Sequence, residues 1–178
     1  MYRAATWYIL EHGIAPENVE EIARAIEAVP FVCDLENNQS RIRIGGMDPT
    51  NFLRDDRVNE SVSLVSSVPR VREILVEIMR RYSVDHDVVM EGRDIGSVVF
   101  PGTPYKFYID ASPDIRLQRR AAQGQRDQIA VRDRFDSSRR ASPLIIAEDA
   151  HVIDSSNLTI IDVVDEIIGQ LKLKGLAL

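Results

Sequence analysis

Apolar positions recur at helical spacing through much of the first half of the chain. Met1 to Glu11 reads as a helix closed by Gly13. Asn18, with Glu21 three residues on, predicts an N-cap and capping-box pair for a second helix that puts Ile22, Ile26 and Val29 on one face; Pro30 stops it. Phe31 to Leu35 and Arg41 to Ile44 are strand-like runs flanking Glu36-Asn37-Asn38-Gln39-Ser40, a hairpin pattern that Gly45-Gly46 ends. Arg57 to Ser67 and Pro69 to Tyr82 return to helical spacing. The second of these opens on its proline and carries Val71, Ile74, Leu75 and Ile78 as a stripe.

From Asp87 the pattern becomes strand, turn, helix. Val88 to Met90, Lys106 to Ile109 and His151 to Ile153 read as strands. Ser112-Pro113 caps a helix running from about Asp114 towards Gln123, and Thr159 with Asp162 caps a last helix striped by Ile161, Val164, Ile168 and Leu171. Strands alternating with helices predict an α/β fold with a parallel sheet and right-handed crossovers. The hairpin-and-helix portion, about residues 15–83, reads as an insertion on that core. No internal repeat or low-complexity tract interrupts the pattern.

The 178 residues are 44% hydrophobic and 28% charged, enough for a real core. A formal charge of −6 argues against nucleic acid or an anionic membrane as the main partner. The expected location is the cytoplasm: no long apolar run or leader pattern is present, and the single cysteine, Cys33, rules out an internal disulfide. His12, His86 and His151 lack ligand spacing, so no protein-bound structural metal is expected. Lys106, Lys172 and Lys174 are the only lysines, every other cation being arginine, a bias that suits bidentate recognition of phosphate or carboxylate.

Candidate chemistry concentrates in three places. Glu-Gly-Arg-Asp-Ile-Gly-Ser-Val-Val-Phe-Pro, residues 91–101, delivers Arg93 and Asp94 just past a strand, where ligands sit in open α/β sheets. Arg93 is suited to gripping a phosphate and Asp94 to accepting from an amine or a hydroxyl; a solvated ion pair in a tight turn is the plainer reading. Arginines 116, 119, 120, 126, 132, 134, 139 and 140 form a basic island with Asp127, Asp133 and Asp136 interleaved. That island suits either a segment closing over phosphates or a solvated helix face with local ion pairs. On a helix, Arg132, Asp136 and Arg139 would share one face. Ser63 and Arg72 bracket Val65 to Pro69, and an arginine in a helix's first turn opposes the macrodipole, a pointer to a ligand against the usual exposed reading. Asp110 ends a strand, where a metal-polarising acid or a helix cap would each fit.

Taken in order, Met-Tyr-Arg-Ala at residues 1–4, Ser63 through Pro69-Arg70-Val71-Arg72, the 91–101 segment and Ala111-Ser112 with Arg119-Arg120 resemble bacterial cytidylate kinase. So do Arg-Asp-Arg-Phe-Asp-Ser-Ser-Arg at 132–139, Ser142-Pro143-Leu144, Glu148-Asp149-Ala150 and Ile153-Asp154-Ser155. The resemblance covers nearly the whole chain. It implies a P-loop nucleoside monophosphate kinase-like fold, with a parallel sheet flanked by helices, a substrate-binding insertion at about residues 15–83 and an arginine-rich lid at about 119–141. The implied reaction moves the γ-phosphoryl group of ATP to CMP or dCMP with Mg²⁺. By matching positions, Arg3 and Arg93 would hold the substrate phosphate, and Ser63, Arg72 and Asp94 would read the cytosine. Arg132 and Asp136 would contact the sugar, and Arg132, Arg134 and Arg139 would act on the transferring group.

Three departures accompany the resemblance. The segment between Gln123 and Ile129 is shorter than the family's lid, and Met79 stands where a glutamine is expected. No G-x-x-x-x-G-K-[ST] occurs in the 178 residues. The expectation is therefore a chain lacking its N-terminal strand and P-loop, through a truncated reading frame or a downstream start. Such a chain would be inactive alone and prone to self-association through an incomplete sheet. A non-catalytic cytidine-nucleotide-binding or structural protein is the second reading, and a kinase for another base the third.

Overall fold

The computed structural model describes residues 1–36, 39–122, 137–138 and 144–177. The chain falls into two compact units, Met1–Val89 and Met90–Leu178. The first contains helix α1 (Tyr2–Glu11), α2 (Val19–Ala28), strands β1 (Phe31–Glu36) and β2 (Gln39–Ile44), and helices α3 (Asp56–Val65) and α4 (Pro69–Tyr82). The second contains β3 (Phe107–Asp110), α5 (Pro113–Ala122), β4 (His151–Asp154) and α6 (Ile160–Leu173).

Local chemistry sets most of these boundaries. Gly13, at φ +67, takes the left-handed conformation that ends α1. Asn18 accepts from the Glu21 N–H at 3.2 Å, while its own amide donates to the Glu21 carboxylate at 2.7 Å. The expected box is thus closed side chain to side chain. Pro69 occupies the first turn of α4, where its missing N–H costs nothing. Thr159 and Asp162 form the full reciprocal box on α6: Thr159 Oγ1 accepts from the Asp162 N–H at 3.2 Å, and the Asp162 carboxylate accepts from the Thr159 N–H at 2.8 Å. The Thr159 hydroxyl, chief among the causes, holds the Asp162 carboxyl below its ordinary value.

β1 and β2 pair antiparallel from Phe31 opposite Ile44 to Glu36 opposite Gln39, the hairpin that the sequence predicts. The core of the first unit gathers Ala5 and Ile9 of α1, Ile22 and Ile26 of α2, Ile44 of β2, and Val71 and Leu75 of α4, all buried. Arg70 of α4 bonds Glu27 of α2 and ties those two helices at the rim. Trp7 stacks on Phe52 with ring centroids 5.8 Å apart.

In the second unit β3 and β4 pair in parallel, Phe107 opposite His151 through Asp110 opposite Asp154. The α/β class and the parallel pairing follow the sequence reading, with one correction. Val88 to Met90 is not a strand: no other strand among the described residues pairs with it, and an extended run without ladder partners leaves its backbone groups to water. The α6 stripe is covered only in part: Ile161 is 71% and Val164 45% exposed while Ile168 and Leu171 are half-buried, a stripe being buried only where another layer lies against it. No helix among the described residues is long and apolar enough to cross a membrane.

The contrast between packed and bare apolar positions is measurable. Leu75→Ala is expected to cost about 2–5 kcal/mol of unfolding free energy, as for a fully buried leucine. Ile161→Ser should change it by less than about 0.5 kcal/mol. Urea denaturation of both variants checks this, and equal losses would show that α6 is buried in solution.

Candidate functional site

In the first unit, three helices bring their predicted site residues together. Arg3, in the first turn of α1, donates through one guanidinium nitrogen to the Leu53 carbonyl at 2.8 Å and to Asn59 Oδ1 at 2.5 Å. Asn59 and Ser63 stand four apart on α3 and share a face, so Arg3 and Ser63 belong to one neighbourhood. Ser66 then links Ser63 to Arg72. Its hydroxyl donates to the Ser63 carbonyl at 3.2 Å, and its own carbonyl accepts from the Arg72 guanidinium at 2.9 Å.

Arg72 is buried, 4% exposed, contrary to the usual fate of an arginine in a first helical turn. Its guanidinium lies 4.9 Å from the centroid of the Tyr2 ring. A ring face attracts a cation most strongly where water is excluded, and this compensates for the adverse helix dipole. Tyr2, Asn59 and Ser66 are not among the residues that the sequence pattern points to. Met-Tyr-Arg is the available signal for Tyr2. Nothing in the local pattern marks the other two, which act across separations in the chain.

In the second unit, Arg93 and Asp94 precede a single π-helical turn, Ile95–Val99. Asp94 is 4% exposed, and its carbonyl accepts from the Val98 and Val99 N–H groups at 2.9 and 3.1 Å. Phe100 N–H closes the turn on the Ile95 carbonyl at 2.8 Å. Such single π-helical turns recur at functional sites. A Cβ on Gly92 would come within 2.9 Å of Ile95 Cγ1, so glycine lets the chain fold tightly just before Arg93.

The carboxyl ends of β3 and β4 are cross-tied. Arg119 of α5 donates to the hydroxyl and carbonyl of Ser155 at 2.9 and 2.6 Å, and the Ser155 hydroxyl donates to the Asp110 carbonyl at 2.7 Å. The Ser156 hydroxyl and N–H hold the Asp154 carboxyl below its ordinary value. Asp110 accepts from the Ala111 N–H at 2.8 Å, ahead of α5, whose cap is instead the Ser112 hydroxyl accepting from the Ile115 N–H at 3.4 Å, and the described residues hold no cluster of three potential metal ligands. Arg132, Arg134, Asp136 and Arg139 lie outside the described residues.

The order of these motifs has a counterpart in known proteins. The cytidylate kinase family model matches residues 1–173. The chain belongs to the cytidylate kinase family. It is 38% identical over 180 residues to a cytidylate kinase of Corynebacterium efficiens, covering 94% of this chain and 78% of that one. A cytidylate kinase of Mycolicibacterium paratuberculosis is 40% identical over 179 residues, with 94% and 78% covered. A third, from Clostridium botulinum strain Loch Maree, is 37% identical over 183 residues, with 97% and 82% covered. The family consists of nucleotide-binding phosphotransferases of pyrimidine metabolism that use ATP with Mg²⁺.

The Tyr2–Arg72 contact sets a measurable stability term. Tyr2→Leu should lose about 0.5–2 kcal/mol, the range for a cation–π contact from exposed to desolvated. Tyr2→Phe, which keeps the ring face, should lose less. Denaturant midpoints for the two variants make the comparison, and an equal loss in both would assign the effect to the phenolic hydroxyl.

Proposed function

We propose that this chain binds CMP or dCMP, and that its family reaction is transfer of the γ-phosphoryl group of ATP to that nucleotide, giving CDP or dCDP. The observation that carries the reading is the withdrawal of Arg72 and Asp94 from water, each 4% exposed, at two of the three motif positions assigned to the base. A cytosine edge offers both an amine donor and carbonyl and ring-nitrogen acceptors, the complement of a carboxylate and a guanidinium held in place away from bulk water. Asp94 accepts from the exocyclic amine, while Ser63 and Arg72 complete the edge. Arg3 and Arg93 hold the substrate phosphate. Arg132 and Asp136 contact the sugar, and Arg132, Arg134 and Arg139 stabilise charge on the transferring group. In this proposal residues of about 15–83 form the substrate-binding insertion and those of about 119–141 the lid.

Mg²⁺ in this chemistry is carried largely by the nucleotide phosphates with few protein ligands, and Asp110, exposed at the end of β3, has the chemistry to supply one. The metal supplies charge neutralisation on the phosphates when bound. The phosphate-binding loop is a separate matter. The 178 residues contain no G-x-x-x-x-G-K-[ST], and none of the three lysines stands in for its lysine. Lys106 is buried against Asp149 and the Pro101 carbonyl, Lys172 lies in the last turn of α6, and Lys174 follows that helix. The 178-residue polypeptide is therefore proposed to bind CMP without measurable turnover. Apolar residues left exposed on β3, β4 and α6, Ile109, Val152 and Ile161 among them, support self-association as part of the same reading.

Two outcomes check this. Asp94→Ala should weaken CMP far more than UMP in titration calorimetry, because uracil presents a carbonyl where cytosine presents its amine; equal losses would remove Asp94 from the base edge. A coupled ADP-release assay on the purified chain should show no turnover above background. Robust turnover that disappears in Arg93→Ala would overturn the inactivity.

A further inference from the structure

One charged side chain outside the nucleotide assignments is buried without a role. Lys106 immediately precedes β3 and is 5% exposed. A lysine that merely opened a strand would lay its stem along the surface and keep its ammonium in water. Here Nζ donates to the Pro101 carbonyl at 2.5 Å and to the two carboxylate oxygens of Asp149 at 2.8 and 2.7 Å. An ammonium has three donors, and three oxygens receive them. The stem lies along Gly96, where a Cβ would stand 3.4 Å from Lys106 Cδ and 3.5 Å from Cγ.

The position of these contacts matters more than their number. Asp94 opens the π-helical turn and Pro101 follows its close at Phe100. The bonds from Val98, Val99 and Phe100 back to Asp94 and Ile95 make Asp94 through Phe100 one hydrogen-bonded piece. Lys106 holds that piece at both its middle, through Gly96, and its rear, through Pro101. Asp149, the other partner, is mostly exposed and lies on the segment that follows the arginine-rich stretch. The Lys106 hydrogen bonds, the foremost cause, hold the Asp149 carboxyl below its ordinary value. It is therefore ionised at neutral pH, and the stability it contributes is lost only as pH falls through that depressed value.

We propose that Lys106 is a positioning residue for Arg93 and Asp94: its ammonium pins the rear of the turn to Asp149, so that the guanidinium and carboxylate at the front meet a cytidine nucleotide in one fixed orientation. This inference rests on the CMP reading above. Lys106 touches no nucleotide itself. Its effect passes through the turn, so loss of the ammonium leaves both recognition groups present but misaimed.

The test is calorimetric titration of CMP into the 178-residue chain and into Lys106→Met, Asp149→Asn and the double variant, with thermal melting of each. Methionine keeps the stem against Gly96 and removes the charge. Lys106→Met should weaken CMP by about tenfold, the scale of one charge-assisted hydrogen bond lost to misalignment. Asp149→Asn should weaken it less, and the double variant no more than Lys106→Met alone, since both act through one contact. Amide exchange at Val98, Val99 and Phe100 should quicken in Lys106→Met while α4 keeps its protection. A lowered melting temperature with unchanged CMP affinity would make Lys106 purely structural and overturn the proposal. Should Lys106→Met fail to fold, Asp149→Asn decides: unchanged affinity in that folded variant likewise overturns the proposal. A wild-type chain that does not bind CMP overturns the cytidine reading itself, and this inference falls with it; equal binding by wild type and Lys106→Met overturns the inference alone.

Discussion

A charge taken out of water must be answered by something other than water, and that constraint organises the chemistry-bearing parts of this protein. Arg72, Asp94 and Lys106 are all buried. The Ser66 carbonyl and the face of Tyr2 answer Arg72, which requires α1, α3 and α4 to converge as they do. Asp149 and a backbone carbonyl answer Lys106, which requires the 95–101 turn to lie against the residues before β4. The apolar core built on Ile9, Ile26 and Leu75 supplies the packing that makes the first of these arrangements rigid.

Much of the local structure is legible in the chain because its causes are local. The caps at Asn18 and Thr159, the proline opening α4 and the glycine closing α1 act within a few residues, and each stands where the pattern puts it. The β1–β2 hairpin belongs to the same class, its partners being near neighbours. Val88 to Met90 forms no strand and the α6 stripe is covered only in part for one reason: a strand and a buried helix face are defined by what lies beside them. Hydrophobic spacing states what a segment would cover, not whether a cover is there.

The candidate site divides the same way. Arg93 and Asp94 are contiguous and sit in a distinctive run, and Arg3, Ser63 and Arg72 fall in motifs whose order carries information. Their surroundings are not legible. Asn59 meets Arg3 and Tyr2 meets Arg72 across separations that no short pattern records. Lys106 reads as an ordinary strand residue, because the carboxylate that explains it lies 43 positions away.

The burial of that lysine has a chemical consequence of its own. A chain with Lys106, Lys172 and Lys174 as its only lysines offers few amines to an acylating reagent. In the folded protein Lys172 and Lys174 are exposed, while the Lys106 nitrogen is shielded, its donors taken up by Asp149 and the Pro101 carbonyl. Lysine acylation would thus leave the interior of the second unit untouched until the 95–101 turn lets go. The scarcity of lysine gives this fold a built-in chemical clock for the opening of one loop.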